Sequence, residues 1–336
     1  MALQTTGAIS LNDMHIEVGG TSGTTCSLND PDIRALISVD GNTNQSIQQY
    51  YGKSSETSLP TGGSQINGQV QLKEIKASDY ISSGGTLRIP SNMWVWSDSR
   101  TVAALIIDIS CTVINDGKII GKGGAGGQYP GQGRTTGGPA ISVTASGVTI
   151  TNSSGAYIAG GGGGGANGQD GGDPQDNSGG GGGGAGGGSG GKGHSLYNPA
   201  SPGGTLNATG GNAYSSTGAL RLSNGGGAGG GGGGPYAYAG GGGGRILPGV
   251  GGVYSSSFVW GSGGSAGNAG YGPNTPPYNP INGAGNHVSG GGGGWGASGG
   301  NGTGPSYPYN IGAAGGAAIT GTSRTLSNSG TIYGST

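Results

Sequence analysis

Gly160-Gly161-Gly162-Gly163-Gly164-Gly165 is the stretch that decides the fold of this chain, because runs of this kind recur along it. The others are Gly179 to Gly184, Gly229 to Gly234, Gly240 to Gly244 and Gly290 to Gly294. A flexible linker joins two domains once, whereas these runs return between segments rich in Tyr, Pro and Asn. The repetition favours an ordered structure.

Polyglycine has one ordered state that suits it, the polyproline II helix, which has three residues per turn and rises about 3.1 Å per residue. This helix makes no internal hydrogen bonds, so its N–H and C=O groups need lateral partners. A side chain would hold neighbouring helices too far apart to supply them. The runs therefore predict a slab of packed polyglycine II helices over residues 121–336, with loops at its two ends.

The composition excludes several classes of protein. Of the 336 residues, 90 are Gly and 16 are Pro, 8% are charged, and the formal net charge is −1. A chain without a basic cluster lacks the electrostatic footprint of a nucleic-acid binder. A collagen triple helix needs glycine at every third position, and the run Gly240 to Gly244 followed by Arg245 does not keep this period, so collagen is excluded. No apolar stretch is long enough to span a bilayer and the N-terminus lacks signal-peptide features, so we expect synthesis in a cytosol.

Residues 1–52 have the pattern of a small separate module. Asp30 as N-cap and Pro31 at the first helical position predict a helix that continues through an apolar stripe to Ile37. Ser46 to Tyr51, closed by Gly52, predicts a second short helix. A module of this size is expected to fold against other subunits or a docking partner, and we predict a homotrimer at this end.

Residues 53–67 are predicted to form a polar linker, and residues 68–120 a β platform. Val70 to Ile75 alternates between apolar and polar residues, as a half-buried strand does. Thr101 to Ile109 is β-branched and apolar, which predicts a central buried strand. Trp94 and Trp96 are predicted to pack in the core. The predicted fold class is mainly β and polyproline II, with little α-helix.

A short motif recurs where strand gives way to glycine. Val113 to Gly121 matches Leu326 to Gly334 in its apolar residue, Asn, Gly, Ile and Gly, and Ile150 to Gly160 is a looser copy. Leu220 to Gly225 preserves the first half of the motif. Asn and Gly accept positive φ in turns, so each copy predicts a strand, a tight turn and a second strand. Such repeats would stack as the β platform, with the last copy closing the slab.

The aromatic residues point to recognition, since 15 Tyr and 4 Trp accompany a single Phe. Tyr and Trp offer a flat apolar face with a polar tip and are favoured in binding loops. These residues could instead cover the glycine slab, but polyglycine has little apolar surface to cover. The candidate receptor-binding residues are Tyr197, Tyr236, Tyr238, Tyr254, Trp260, Tyr271, Tyr278, Trp295, Tyr307 and Tyr309.

Metal sites and catalytic pairs are not expected. Three acids, Asp170, Asp173 and Asp176, stand at every third residue, but a solvated acidic loop fits them better than a calcium site. The three histidines are far apart in sequence. Gly-x-Gly-x-x-Gly matches occur by chance in long glycine runs, and no carboxylate pair of a depolymerase can be named. We therefore predict no cofactor and no enzyme activity, and we predict Cys26 and Cys111 to be buried thiols.

The N-terminal segment resembles a known group of proteins. Thr6 to Asp13, Gly19 to Thr24 and Ser27 to Asp30 are similar to the opening of tail structural and tail-fibre proteins of tailed bacteriophages. The resemblance covers about the first fifty residues. It implies attachment to a virion, through tail or baseplate proteins.

The glycine-rich part also resembles a family. Together with Gly123 to Gly127, Gly261 to Gly270 and Gly312 to Gly316, the runs quoted above are similar to the receptor-binding adhesins at the tip of T-even-like long tail fibres. The resemblance implies a sandwich of polyglycine II helices in which each chain forms its own slab. It also implies production in host cytoplasm and a place in the virion tail fibre or tail tip.

The predicted function is that of a phage tail fibre or adhesin that recognises a host surface through aromatic loops. Its receptor would be a bacterial polysaccharide or an outer-membrane protein. The alternative is a structural tail spacer or fibre-assembly component without receptor binding. An ice-binding protein of the polyglycine II type would need a flat face, which the Tyr and Pro insertions disfavour.

Overall fold

The computed structural model describes residues 3–37, 45–52, 55–61, 65–66, 69–127, 133–167, 183–191, 268, 290–302 and 311–336. Strands are the main regular structure in these ranges and helix is scarce, which confirms the mainly β class. No helix among these residues is long and apolar enough to cross a membrane.

Short helices lie in the N-terminal segment. Helix α1 (Leu11–Glu17) was not predicted, although Ser10 and Asp13 form a capping box at its start. Helix α2 (Pro31–Ala35) begins directly after Asp30, as predicted, and the backbone N–H of Ser27 donates to the Asp30 carboxylate at 2.8 Å. The second predicted helix is a 3₁₀ turn over Ile47–Tyr50.

These helices share a small core. Its buried side chains are Leu3, Ile9, Met14, Ile33, Leu36 and Tyr50. Met14, Ile33 and Tyr50 are fully buried, so the segment brings together apolar side chains from all its helices. A core of six residues is small for an independent domain, and trimer formation at this end stays a prediction.

The strands follow one another from residue 56 to residue 333. They are β1 (Glu56–Ser58), β2 (Gln65–Ile66), β3 (Gln69–Lys73), β4 (Ile75–Lys76), β5 (Thr86–Ile89), β6 (Met93–Trp96), β7 (Leu105–Ile107), β8 (Thr112–Asn115), β9 (Lys118–Ile120), β10 (Ile141–Val143), β11 (Val148–Asn152), β12 (Tyr157–Ala159), β13 (Ile319–Thr320), β14 (Arg324–Asn328) and β15 (Thr331–Tyr333). A further 3₁₀ turn covers Ala77–Asp79.

Three sheets collect these strands. Sheet A has the order β1-β5-β8-β11-β14, sheet B the order β15-β12-β9-β6-β3-β2, and sheet C the order β13-β10-β7-β4. Every pairing is parallel except that of β2 with β3. From β5 onward the chain visits sheets A, B and C in turn before it returns to A. The result is a three-sided parallel β-helix, in which each coil stacks on the one before it.

The β-helix changes the interpretation of the recurring motif. The two strands within one copy lie in different sheets, and each pairs with the corresponding strand of the next copy. Gly117 does not have the positive φ expected of a tight turn. A Cβ at this position would instead lie 2.5 Å from the carbonyl oxygen of Pro90, so glycine is needed there because successive coils approach closely.

Apolar side chains from all three sheets fill the interior of the β-helix. Leu87, Val113 and Ile150 stack inside sheet A, and each is at most 2% exposed. Leu105 to Ile107 forms an interior strand of sheet C, which confirms the predicted buried strand in a shorter form. Glu74 has a φ of +49°, and it marks the corner where the chain passes from sheet B to sheet C.

Glycine-rich segments leave and re-enter this β-helix. One connects β9 to β10 and a longer one connects β12 to β13, so strands from both sides of the glycine runs belong to the same three sheets. The β-helix therefore includes β1 and β2 from the predicted linker and β10 to β15 from the predicted slab. Sequence reasoning placed these segments apart because their strands are only two to five residues long.

Candidate functional site

The run from 160 to 166, here called the central tract, is surrounded by other glycine-rich segments. Its backbone N–H and C=O groups bond to residues in six glycine-rich segments, namely 121–127, 133–140, 183–191, 290–294, 296–302 and 311–318, and the N–H of Gly160 also bonds to Tyr333 of β15. Typical distances are 2.7 Å from Gly124 N to Gly162 O and 2.8 Å from Gly163 N to Ala297 O. These bonds run sideways from the tract to neighbouring segments.

Partners of the central tract repeat at every third residue. Gly162 and Gly165 accept hydrogen bonds from Gly124 and Gly127, respectively. Gly161 N and Gly164 N donate to Gly138 O and Thr135 O, respectively. Gly163 N and Ala166 N donate to Ala297 O and Gly300 O. The carbonyl oxygens of Gly161 and Gly164 accept from Gly316 N and Ala313 N. Residues three apart thus face the same neighbour.

Close packing explains why the central tract contains no side chain from 160 to 165. A Cβ built on Gly161 would lie 1.9 Å from the carbonyl oxygen of Lys122, and one on Gly164 would lie 1.8 Å from that of Ala125. Both distances are far inside van der Waals contact. Any side chain here would push two backbones apart and break their hydrogen bonds.

Trp295 joins the glycine-rich segments to the outer face of sheet B. Its ring centroid lies 6.3 Å from that of Trp94, 6.0 Å from that of Tyr157 and 5.6 Å from that of Tyr333. Trp295 is 6% exposed and Trp94 is 5% exposed. Smaller side chains complete the contact, namely those of Ile120, Ala159 and Ala185. We call the residues around the indole ring the aromatic socket.

Lys118 lies beside the aromatic socket. Its Nζ is 5.3 Å from the ring centroid of Trp94 and 5.8 Å from that of Tyr157, within the range of cation–π attraction. Burial lowers the pKa of the Lys118 ammonium. On the same face, the Nζ of Lys73 lies 5.6 Å from the ring centroid of Trp96.

Charged residues elsewhere on the β-helix pair across coils. Arg88 on β5 binds Glu56 on β1 and Asp116 at the end of β8. The hydrogen bond to Glu56 raises the pKa of the Arg88 guanidinium. The carboxylate of Asp98 forms ion pairs with the Nζ of Lys122 at 2.8 Å and the Nζ of Lys73 at 3.5 Å. These ion pairs connect consecutive coils and have the character of structural contacts.

Of the ten predicted receptor-binding residues, the described structure contains Trp295. Tyr197, Tyr236, Tyr238, Tyr254, Trp260, Tyr271, Tyr278, Tyr307 and Tyr309 lie outside the described residues. Trp295 was predicted as an exposed anchor, but its ring is packed in the aromatic socket and has almost no free surface. We therefore remove Trp295 from the proposed contact residues, because a ring buried against sheet B cannot also cover a receptor.

Trp94 and Trp96 differ in their surroundings, although both were predicted to pack in the core. Trp94 is buried in the aromatic socket, outside the interior of the β-helix, and Trp96 is partly exposed. Sequence reasoning missed Tyr157 and Tyr333, which occupy alternate positions of β12 and β15. Their outward-facing alternation with Ile158 and Ile332 is the signal that could have identified them.

The candidate metal ligands stay separate from this site. His194, His287 and the three aspartates at positions 170, 173 and 176 lie outside the described residues. His15 has its Nε2 2.8 Å from the hydroxyl oxygen of Thr24. Across the described ranges, no group of three or more His, Cys, Asp or Glu side chains is close enough to hold a metal ion.

Comparison with protein families gives one match. Residues 65–223, slightly less than half of the chain, match the family described as phage tail fibre adhesin Gp38. The resemblance to phage tail-fibre adhesins is thereby confirmed, and it indicates a location in the tail fibre of a virion. The match begins beyond residue 52, so the resemblance of the N-terminal segment to tail proteins stays a prediction.

The chain was also compared with curated proteins and with solved structures. No curated protein matches the chain. Among solved structures, the crystal structure of the gp37-gp38 adhesin tip complex of the bacteriophage S16 long tail fiber is similar at 16% identity and a TM-score of 0.35, covering 99% of each chain. A TM-score this low does not establish a shared fold.

Proposed function

We propose that this chain, which matches phage tail fibre adhesin Gp38 over residues 65–223, binds a host bacterium through aromatic loops carried on packed polyglycine II helices. The family match supports host recognition by a tail-fibre adhesin. The contact residues and the scaffold that presents them are the parts we infer from this chain. Binding would proceed without catalysis and without a cofactor.

The scaffold proposal rests above all on the three-residue step of the central tract. A polyproline II helix has three residues per turn, so residues three apart lie on one face and meet one neighbour. Residues 161 and 164 bond to the same neighbouring segment, and so do 162 and 165, and 163 and 166. An extended strand would repeat its partners every two residues, and an α-helix would bond within itself.

A packed slab of this kind would make a good platform for recognition loops. Its backbone groups are held by neighbouring tracts, so the glycine segments lose the flexibility that free polyglycine has. The ends of the tracts then position the connecting loops. Binding loses less entropy when loops are held in place beforehand, and proline residues within them strengthen this effect.

The proposed contact residues are the tyrosines and tryptophan of those loops. They are Tyr197, Tyr236, Tyr238, Tyr254, Trp260, Tyr271, Tyr278, Tyr307 and Tyr309. A few aromatic anchors provide most of the binding energy in many interfaces. The receptor would be a surface polysaccharide or an outer-membrane protein, and the N-terminal segment would dock the chain to tail or baseplate proteins.

Cell binding by the purified full-length chain tests this function. We expect the double variant Y307A/Y309A to bind host cells at least about thirtyfold more weakly, since loss of one central anchor costs about 2 kcal/mol or more. Its melting temperature should stay that of the wild type. W96A is the matched control, since it removes an aromatic ring from the β-helix.

Two results would contradict parts of the proposal. A wild-type chain that binds no host cells or envelope fractions would support the spacer or assembly alternative. Full binding by Y307A/Y309A and by variants of the other loops would move the receptor site to the β-helix or the N-terminal segment. Protease treatment of the cells separates the two receptor classes, because it removes binding to a protein and leaves binding to a polysaccharide.

A further inference from the structure

We infer that Trp295 is a positioning residue, which locks the glycine-rich segments onto sheet B and so controls receptor binding without touching the receptor. Only the expected effect of Trp295 on receptor binding rests on the proposed function. Its structural part rests on the aromatic socket and on the turn that contains Trp295.

The turn that carries Trp295 is shaped to insert the indole ring. The N–H of Ala297 donates to the carbonyl oxygen of Gly294 at 3.1 Å, which closes a four-residue turn with Trp295 at its second position. Gly296 follows with a φ of +65°, a conformation that favours glycine. The side chain of Trp295 is thus directed by its own backbone.

Gly296 also fixes the turn against the last coil of the β-helix. A Cβ at this position would lie 2.3 Å from the backbone nitrogen of Gly334. The N–H of Gly296 donates to the carbonyl oxygen of Gly160 at 2.8 Å, and the N–H of Gly160 donates to that of Tyr333 at 2.9 Å. Main-chain bonds therefore connect the turn, the start of the central tract and β15.

The aromatic socket has a shape that suits one large ring. Ile120 and Ala159 are direct neighbours in sheet B, and both are fully buried under the glycine-rich segments. Large rings stand around them: Trp94 on β6, Tyr157 on β12 and Tyr333 on β15. The aliphatic side chains of Ile120 and Ala159 lie between these rings, and the ring of Trp295 packs in the same cluster. The contacts of Trp295 extend across four neighbouring strands of sheet B, β15, β12, β9 and β6, so the position of the ring depends on the register of these strands.

The aromatic socket fixes the position of the glycine-rich segments on sheet B. The tracts bond laterally to one another through backbone groups that are all alike, so polyglycine by itself permits sliding by one turn of three residues. A single large side chain in a single socket permits one register. Trp295 would therefore set where the slab lies on the β-helix, and hence where the loops lie.

Hydrogen–deuterium exchange and cell binding with the full-length chain test this inference together. In W295A we expect exchange of peptides from 290–302 and 160–167 to become at least tenfold faster, while peptides from β8 and β11 keep wild-type exchange. Cell binding should fall at least tenfold. W295F should restore slow exchange and most of the binding, since a phenyl ring still fills the socket. W96A, on the same face of sheet B, should leave both readouts unchanged.

The outcomes separate positioning from contact. Loss of binding in W295A with wild-type exchange would mean that Trp295 touches the receptor, and this result would overturn the inference. Faster exchange with full binding would overturn it too. If W295A does not fold, W295L keeps an apolar group without the ring contacts, and wild-type exchange in that variant would also refute positioning. If the wild type binds no cells, the proposed function fails, but the exchange series still decides whether Trp295 locks the slab.

Discussion

The side-chain amide of Asn115 donates to the side-chain oxygen of Asn152 at 2.8 Å, and both residues are fully buried in consecutive coils of the β-helix. Asn152 donates in turn to Asn328 at 2.8 Å. The three residues occupy the same register position of sheet A. This ladder satisfies buried polar groups at the corner of every coil that it crosses.

We predict that N152L lowers the free energy of unfolding by about 2–4 kcal/mol. The substitution leaves the Asn115 amide nitrogen with one bond, to the carbonyl of Tyr157, and removes the Asn152 amide as a donor to the carbonyl of Thr331. Each unsatisfied buried group costs about 1–3 kcal/mol. Urea denaturation measures the change. N328A serves as control and should cost less than about 1 kcal/mol, because Asn328 is exposed and water can replace its oxygen as the acceptor for Asn152. Equal losses in both variants would contradict this account.

A second prediction concerns glycine in the central tract. G161A and G164A should each destabilise the chain by about 3 kcal/mol or more, because the new Cβ would lie within 2 Å of a carbonyl oxygen. G155A is the control: its Cβ meets nothing within 4 Å, and its φ of +82° adds strain of only about 1–2 kcal/mol. Thermal melting compares the three. Equal melting temperatures for G161A and wild type would mean that the tract is not packed as described.

Cys111 leads to a prediction about alkaline pH. Burial raises the pKa of this thiol to about 11, from an ordinary value of about 9. Because the folded pKa is the higher one, the thiol stabilises the fold fully below about pH 9, and this contribution is lost as pH rises toward 11. Two pKa units correspond to about 2–3 kcal/mol. The loss of stability from pH 9 to pH 11 should therefore be smaller in C111A than in wild type.

Thiol labelling gives an independent check. Cys111 is 3% exposed and should not react with an alkylating reagent at pH 8 until the chain unfolds. Cys26 is only partly buried and should react in the folded state. Rapid labelling of both thiols in the folded protein would show that the interior around Cys111 opens easily.

The fourth prediction tests the oligomeric state. Ile16 and Ile47, in the N-terminal segment, are 47% and 43% exposed, and a trimer interface at this end would bury them. We expect light scattering to give three times the chain mass of 31.9 kDa, and I16S/I47S to shift the chain toward monomer. I311S removes an equally apolar and more exposed side chain from another region and should change nothing. A wild-type monomer would end the trimer hypothesis.

Several features of this fold could be predicted from residue type and spacing alone. Asp30 and Pro31 marked the start of α2, and the recurring Asn-containing motif marked strands that stack on one another. The central tract was predicted to pack laterally, and its backbone bonds to neighbouring segments are lateral. Local rules sufficed here, because capping, chain stiffness and the need to satisfy backbone groups act over a few residues.

By itself, the sequence determined that glycine would pack against glycine and that short apolar strands would be buried. Only the tertiary structure decided that β8, β11 and β14 share one sheet, since β11 pairs with β14 across 176 residues of sequence separation, as at the Asn152 to Asn328 bond. It also decided the role of Trp295. In sequence this residue looks like a loop aromatic after a glycine run, but its socket is built from strands far away in the chain. Which aromatic is buried and which stays free depends on surfaces that exist only once the coils have stacked.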